Sequence, residues 1–289
     1  GDKEYVGFSD KDFTELSRKT EKNETTKSEN TNIEILHKSG LKFTLKTVFY
    51  PDYAAFDWVI YFTNITSAKS PNVSEISPAE LTFEGENPII LTNCGDSESI
   101  TGMPAPYTPR SYSLEETPEV TFEPTNGRSA EAAFPYYNLE YGDKGAFVVT
   151  SWAGQWKDDF SYADGKTTFS GLQEIFNSYI KPGEIARTPL TAVILYDGRD
   201  TDRATNLWRR WFIDCNMNRD DGETLTDPFV AGVSSRQNTE MINATEQNQI
   251  NYINKYKDMG IDISVWWMDA GWYPCDGDWV STGNWTPDT

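Results

Sequence analysis

Apolar and polar residues alternate with a period of two over most of the first two hundred positions. "NIEILH" (32–37), "KFTLKTVFY" (42–50) and "AFDWVIYFTN" (55–64) are rich in Val, Ile, Phe, Tyr and Thr. Such runs are the mark of strands with one face buried and one solvated. The pattern returns in "ELTFE" (80–84), "PIILTN" (88–93), "AAFPYYNLEY" (132–141), "GAFVVTSWAG" (145–154) and "TPLTAVILYDG" (188–198), with turn clusters such as "YGDKG" and "KPGE" between them. Many short antiparallel strands predict a large β-sandwich over residues 1–200. The start of the chain lacks the pattern: "RKTEKNETTKSEN" (18–30) is polar and charged and reads as a tail or exposed loop.

The period changes near residue 201. Leu207, Trp208, Trp211, Phe212 and Cys215 fall on one face of a helix, with Thr201 or Asp202 placed to cap its start. "RDDGETLTDP" (219–228) is a polar turn, so residues 201–222 read as a connecting helix and linker. "FVAGVSS" (229–235) then predicts a buried strand, residues 243–260 a helix with Ile250, Ile253, Tyr256 and Met259 on one stripe and Gly260 as its C-terminal cap, and "IDISVWWMD" (261–269) a second apolar strand. Strand, helix and apolar strand make a βαβ unit of a parallel sheet over residues 223–289. Two strands and one helix cannot cover both faces of such a sheet, so this domain is expected to be incomplete within these residues.

Composition narrows the chemistry. The net charge of -20 repels polyanions, and no Lys/Arg stripe appears, which argues against a nucleic-acid partner. No apolar run reaches the roughly 18 residues of a membrane helix. A single histidine, His37, makes a Ser-His-Asp triad or a His-rich metal site improbable, and it reads as an ordinary surface residue near a strand end. Cys94, Cys215 and Cys275 match no metal spacing, leaving one disulfide open. No cofactor or metal is expected. "DGRDTD" (197–202) and "NRDDGE" (218–223) lack the spacing of a calcium loop and read as surface turns.

"DISVWWMDAGWYPCDGDW" (262–279) stands apart, because it gathers indoles and carboxylates together. Asp269 ends an apolar parallel strand, the edge at which α/β sheets bind ligands, and a charge there needs a polar opening. Ala270 and Gly271 permit a sharp turn, and Trp272, Trp279 and Trp285 follow. An indole stacks on the C–H face of a sugar and a carboxylate accepts its hydroxyls. By themselves, Trp266 and Trp267 also suit a core, one on each strand face, and Asp276 and Asp278 suit a turn.

Four segments in order carry a resemblance: "TNGRSAEAAFPYYNLEYGDKGAFVVTSWAGQW" (125–156), "TDRATNLWRRWFIDCNMNR" (201–219), "GIDISVWWMDAGWY" (260–273) and "STGNWTPDT" (281–289). Over residues 31–289 the chain resembles the N-terminal part of glycoside hydrolase family 36, the α-galactosidase-like enzymes. The resemblance implies a β-supersandwich followed by the start of a (β/α)8 TIM barrel. It also implies retaining hydrolysis of terminal α-galactoside-type linkages by two aspartates beyond Thr289, so no catalytic residue is assigned here. On that resemblance Asp269, Trp272, Trp267, Cys275 and Trp285 are the substrate-binding candidates. Arg128 is either a further arm towards the sugar or a structural turn residue. The family usually has Asp-Asp-Gly-Trp where this chain has Asp269-Ala270-Gly271-Trp272. The missing carboxylate raises an α-N-acetylgalactosaminide or another modified α-galactoside as substrate. A non-catalytic carbohydrate-binding protein and a purely structural sandwich are the competing classes. The expected partner is a carbohydrate with a terminal α-galactose-like sugar, with no membrane or nucleic acid. Homo-oligomerisation is left open, as is an extracellular, periplasmic or cytoplasmic location.

Overall fold

The computed structural model describes residues 9–96, 106–220, 224–225, 230–233, 244–275 and 283–289. Contacts divide the chain into two units, Gly1–Met217 and Asn218–Thr289.

The first unit is built from antiparallel strands. In chain order they are β1 (Phe13–Asn23), β2 (Ser28–His37), β3 (Leu41–Tyr50), β4 (Ala55–Asn64), β5 (Val73–Ser74), β6 (Ala79–Glu84), β7 (Ile89–Asn93) and β8 (Pro109–Ser113). There follow β9 (Glu119–Phe122), β10 (Tyr136–Tyr141), β11 (Lys144–Ser151), β12 (Trp156–Ala163), β13 (Lys166–Gln173), β14 (Asn177–Ser178), β15 (Ile185–Arg187) and β16 (Leu190–Asp197). A ten-stranded sheet runs β1-β2-β3-β4-β16-β11-β10-β7-β8, with β15 added on β4, and a four-stranded sheet runs β6-β13-β12-β9.

The period-two pattern explains how the layers meet. On β11, Ala146 and Val148 face the four-stranded sheet and join a core with Ile90, Tyr137, Trp156, Phe160 and Phe169. Their neighbours Phe147 and Val149 point to the opposite face, where helix α1 (Thr201–Trp211) lies. There Leu207, Trp208, Trp211 and Cys215 pack with Tyr50, Ala55 and Ile194. Tyr50 meets Trp211 edge-on at 5.5 Å. Burying an aromatic ring of this size contributes roughly 1.5–3 kcal/mol. A strand covered on both faces must be apolar throughout, as "GAFVV" is.

Several local expectations change. Residues 18–30 are not a tail: 18–23 and 28–30 belong to β1 and β2, paired as far as Asn23 and Ser28, and only 24–27 form a connecting turn. The ribbon is solvated, so its polar side chains pair across it, with Thr20 and Thr31 hydroxyls 2.9 Å apart and Ser17 donating to Glu34 at 3.2 Å. His37 is buried rather than on the surface. Its Nδ1 lies 2.8 Å from the Ser39 hydroxyl and its ring 4.8 Å from that of Phe13, and burial lowers its pKa. Asp200, not Thr201 or Asp202, caps α1, accepting from the Arg203 N–H at 3.0 Å. Phe212 is partly exposed rather than packed on the sheet, its ring stacked on Trp208 at 6.4 Å, at the start of a π turn (Phe212–Asn216) whose Cys215 stays on the packed side. The three cysteines are free thiols.

Asp57, Glu131, Glu140 and Asp158 are buried carboxylates of this unit, and two of them have strongly raised pKa values. Asp158 alternates with Trp156 and Phe160 on the inner face of β12 and accepts from the hydroxyls of Tyr137 at 2.9 Å and Thr150 at 2.8 Å. It therefore ties the small sheet to the large one. Burial raises its pKa to about 7. Asp57, facing inward from β4, accepts from Tyr50 at 2.9 Å, and burial raises its pKa to about 6. Taking a carboxylate out of water disfavours its charged form, and hydroxyl donors offset only part of that.

The second unit contains β17 (Arg219–Asp220) against β18 (Thr224–Leu225), then β19 (Ala231–Val233), helix α2 (Glu246–Asp258) and β20 (Val265–Trp267). β19 and β20 are parallel, with Gly232 opposite Trp266. A Cβ on Gly232 would come within 2.9 Å of the Trp266 ring, so only glycine fits beside that indole. Trp266 Nε1 donates to the buried Gln249 at 2.8 Å, and Tyr256 meets the same ring at 6.1 Å. That bond resets the helix face. Gln249, Tyr252, Ile253 and Tyr256 turn inward, while Ile250 and Met259 are exposed. A buried indole N–H needs an acceptor, which an aliphatic stripe cannot supply. Gly260, at φ +72°, closes the helix, as its N–H reaches Lys257 O at 2.9 Å and that of Ile261 reaches Tyr256 O at 3.0 Å.

Candidate functional site

The loop leaving β20 holds most of the residues singled out from sequence. Asp269 is exposed two residues beyond the strand, and its Oδ1 accepts from the Ala270 N–H at 2.8 Å. Gly271 follows at φ +107°, a left-handed backbone suited to glycine, and reverses the chain. Ala270, Tyr273 and Cys275 then form a small buried cluster with Trp272 packed on it. The Trp272 ring meets Tyr273 edge-on at 5.1 Å and Trp285 at 5.9 Å with 36° between planes. The Asp288 N–H donates to Trp272 O at 3.0 Å, fastening residues 283–289 to the same loop.

The structure thus brings together Trp272, Cys275 and Trp285, with Asp269 adjoining them in the chain. Cys275 is a buried thiol in the cluster against which Trp272 packs. Trp267, at the end of β20, is exposed. Asp276, Asp278 and Trp279 lie outside the described residues. The arrangement offers a tilted pair of indole faces, one of them solvated, close in sequence to an accessible carboxylate. Indole faces attract the C–H surface of a sugar, and a carboxylate accepts two of its hydroxyls.

Arg128 sits in the turn between β9 and β10. Its Nε forms an ion pair with the buried Glu131 at 2.7 Å, and Asn126 Nδ2 donates to the other oxygen of that carboxylate at 3.1 Å. The turn is closed by Arg128 N–H to Thr125 O and by Glu131 N–H to Arg128 O. Sequence reasoning missed Glu131 and the inward Asp57 and Asp158. For the two aspartates the signal was present, because each alternates with apolar residues on a strand. Tyr273 was also missed. It sits two residues past Gly271, where a chain that has just turned points back under Trp272.

No protein-family model matches the sequence, and no curated protein does. Solved structures do match in fold. A GH36 alpha-galactosidase, AgaA from Geobacillus stearothermophilus, superposes with TM-score 0.71 at 14% identity, over 96% of this chain and 40% of that one. The alpha-galactosidase from Lactobacillus brevis gives 0.64 at 14% identity, over 92% and 36%. The galactosidase domain of the alpha-galactosidase-sucrose kinase AgaSK gives 0.67 at 12%, over 92% and 38%. The chain shares the fold of the N-terminal region of the GH36 alpha-galactosidases and spans about two fifths of their length.

Proposed function

We propose that this chain is the β-domain and the beginning of the (β/α)8 barrel of a retaining α-glycosidase acting on terminal α-galactoside-type linkages. The observation that carries the reading is the exposed Asp269 at the end of a parallel strand, followed by the Trp272–Trp285 pair, on a fold shared with α-galactosidases. Asp269 accepts sugar hydroxyls, Trp272 and Trp285 hold the apolar face, and Trp267 extends the aromatic surface. The two catalytic carboxylates are not among these residues. They would lie roughly 5 Å apart on later barrel strands, one as nucleophile and one as acid/base.

Ala270 favours a variant of this reading. It is buried against Tyr273 and Cys275, where α-galactosidases of the kind this sequence resembles carry a second aspartate. The smaller side chain suits a sugar bearing a bulkier or less polar substituent, such as an α-N-acetylgalactosaminide. The test is hydrolysis of paired chromogenic substrates, α-galactoside and α-N-acetylgalactosaminide, by the full-length protein. Turnover of either supports a glycosidase, and the preferred sugar defines what Ala270 admits. Sugar binding without turnover of either would replace the enzyme with a carbohydrate-binding protein.

A further inference from the structure

Helix α1 turns its apolar face to the large sheet and a basic face outward. Arg203, Asn206, Arg209, Arg210 and Ile213 line an open, shallow groove of about 520 Å3 on that side. The linear sequence shows no basic stripe because Leu207 and Trp208 interrupt it. Helical spacing then gathers the three arginines on one side. Two are held in place: Arg203 Nη1 donates to Asp197 O at 2.9 Å, and Arg209 Nη1 to Asn206 Oδ1 at 3.4 Å. Among the described residues, no carboxylate forms a salt bridge with any of the three.

The chain carries 45 acidic and 25 basic residues, so a local cluster of cations contrasts with its overall charge. Among the described residues, these three guanidiniums stand side by side on one helix face without a salt-bridged carboxylate between them. Like charges gathered on one helix face repel, and an anion seated between them reverses the sign of that interaction. Guanidinium forks match planar carboxylates in two-point contact. Arg203 and Arg210 are seven residues apart, about 10 Å along the axis, so a ligand reaching both must be extended and carry more than one anion. Ile213 adds an exposed apolar edge at one end of the groove.

We propose that the outer face of α1 is a binding site for the carboxylates of an extended uronic-acid oligosaccharide. The choice of a sugar backbone rests on the glycosidase reading; the choice of an anion rests on the arginines. The test is isothermal titration of the full-length protein at low salt with trigalacturonate, and with the neutral galactotriose as control. Trigalacturonate is expected to bind, to weaken with added salt, and to lose at least tenfold in affinity in the Arg209→Gln/Arg210→Gln variant. Arg203→Gln, at the other end of the groove, is expected to weaken it severalfold, with the thermal midpoint of each variant unchanged. Undiminished binding in the double variant would overturn the proposal, as would equal binding of galactotriose or tighter binding of an oligoglutamate of the same charge. α-Galactoside hydrolysis measured on the same samples separates the two readings: its absence alongside arginine-dependent uronate binding counts against the glycosidase and leaves this site standing.

Discussion

Trp156 and Trp211 of the β-unit are 0% and 3% exposed, whereas Trp267 and Trp285 of the second unit are 71% and 75% exposed. The carboxylates divide in the same way. Asp158 is sealed between two sheets under two hydroxyl donors, and Asp269 is exposed on a loop. Both regions use indole and carboxylate, but to different ends. In the first, the indoles are packed away from water, Asp57 and Asp158 accept internal hydroxyl donors, and the side chains define how layers meet. In the second, surfaces able to grip a sugar are left accessible. If this contrast is right, substitutions in the first region change stability and substitutions in the second change binding.

The largest effect should come from Trp211→Ala, which empties the space between α1 and the sheet and is expected to lower unfolding free energy by about 3–5 kcal/mol in a urea titration. A loss below 1 kcal/mol would mean that α1 is not docked as described. Next is the pH dependence set by Asp158. Its folded pKa of about 7 exceeds the ordinary value of 3.8, so between those limits the folded state holds more protons than the unfolded one. The contribution is fully present below about pH 3.8 and is lost as pH rises through about 7. The upper bound is on the order of 4 kcal/mol, from about 1.4 kcal/mol for each tenfold difference in proton affinity between the folded and unfolded chain. The thermal midpoint of the wild type relative to Asp158→Asn should therefore fall between pH 4 and pH 7, and a constant difference would contradict a protonated, buried carboxyl.

Asp269→Asn should act on the other side of the contrast. Sugar affinity of the full-length protein is expected to weaken by about 1.5–3 kcal/mol, the value of a hydrogen bond to a charged group, with the thermal midpoint unmoved. Unaltered binding removes Asp269 from the site. Trp285→Ala should be the mildest, costing about 0.5–1.5 kcal/mol of sugar affinity if its face stacks on the ligand, and leaving stability within about 0.5 kcal/mol. A stability loss there larger than the binding loss would move Trp285 into the scaffold.

Local periodicity was enough to find the elements whose two faces differ most. "AFDWVIYFTN" coincides with β4, and the parallel β19–β20 pair with its intervening helix follows the order read from sequence. The pattern failed where both faces are alike. β1 is solvated on both sides, so its polarity imitated a loop although the ladder to β2 is regular. The β12–β13 hairpin was passed over despite its Asp164-Gly165 turn, with φ of +52° and +75°, because Lys157, Asp158 and Asp159 mask the alternation. The arginine groove was invisible for a third reason: its residues are separated by the apolar face of their own helix. Within the loop after β20, the residue types were legible, but the packing of Trp272 between Tyr273 and Trp285 depends on chain reversals that no periodicity encodes.

The ribbon of β1 and β2 bears on how copies of this molecule behave towards one another. β1 is an outer strand of a ten-stranded sheet, and its free edge offers backbone donors and acceptors to any strand of a neighbouring chain. Along it run Glu15, Arg18, Lys19, Glu21 and Lys22, all exposed. A second strand adding to that edge would have to bury or match charges of both signs at nearly every step, which disfavours sheet-to-sheet polymerisation in a crowded solution. The polarity that disguises this strand in the sequence is also what keeps a long sheet edge from templating aggregation.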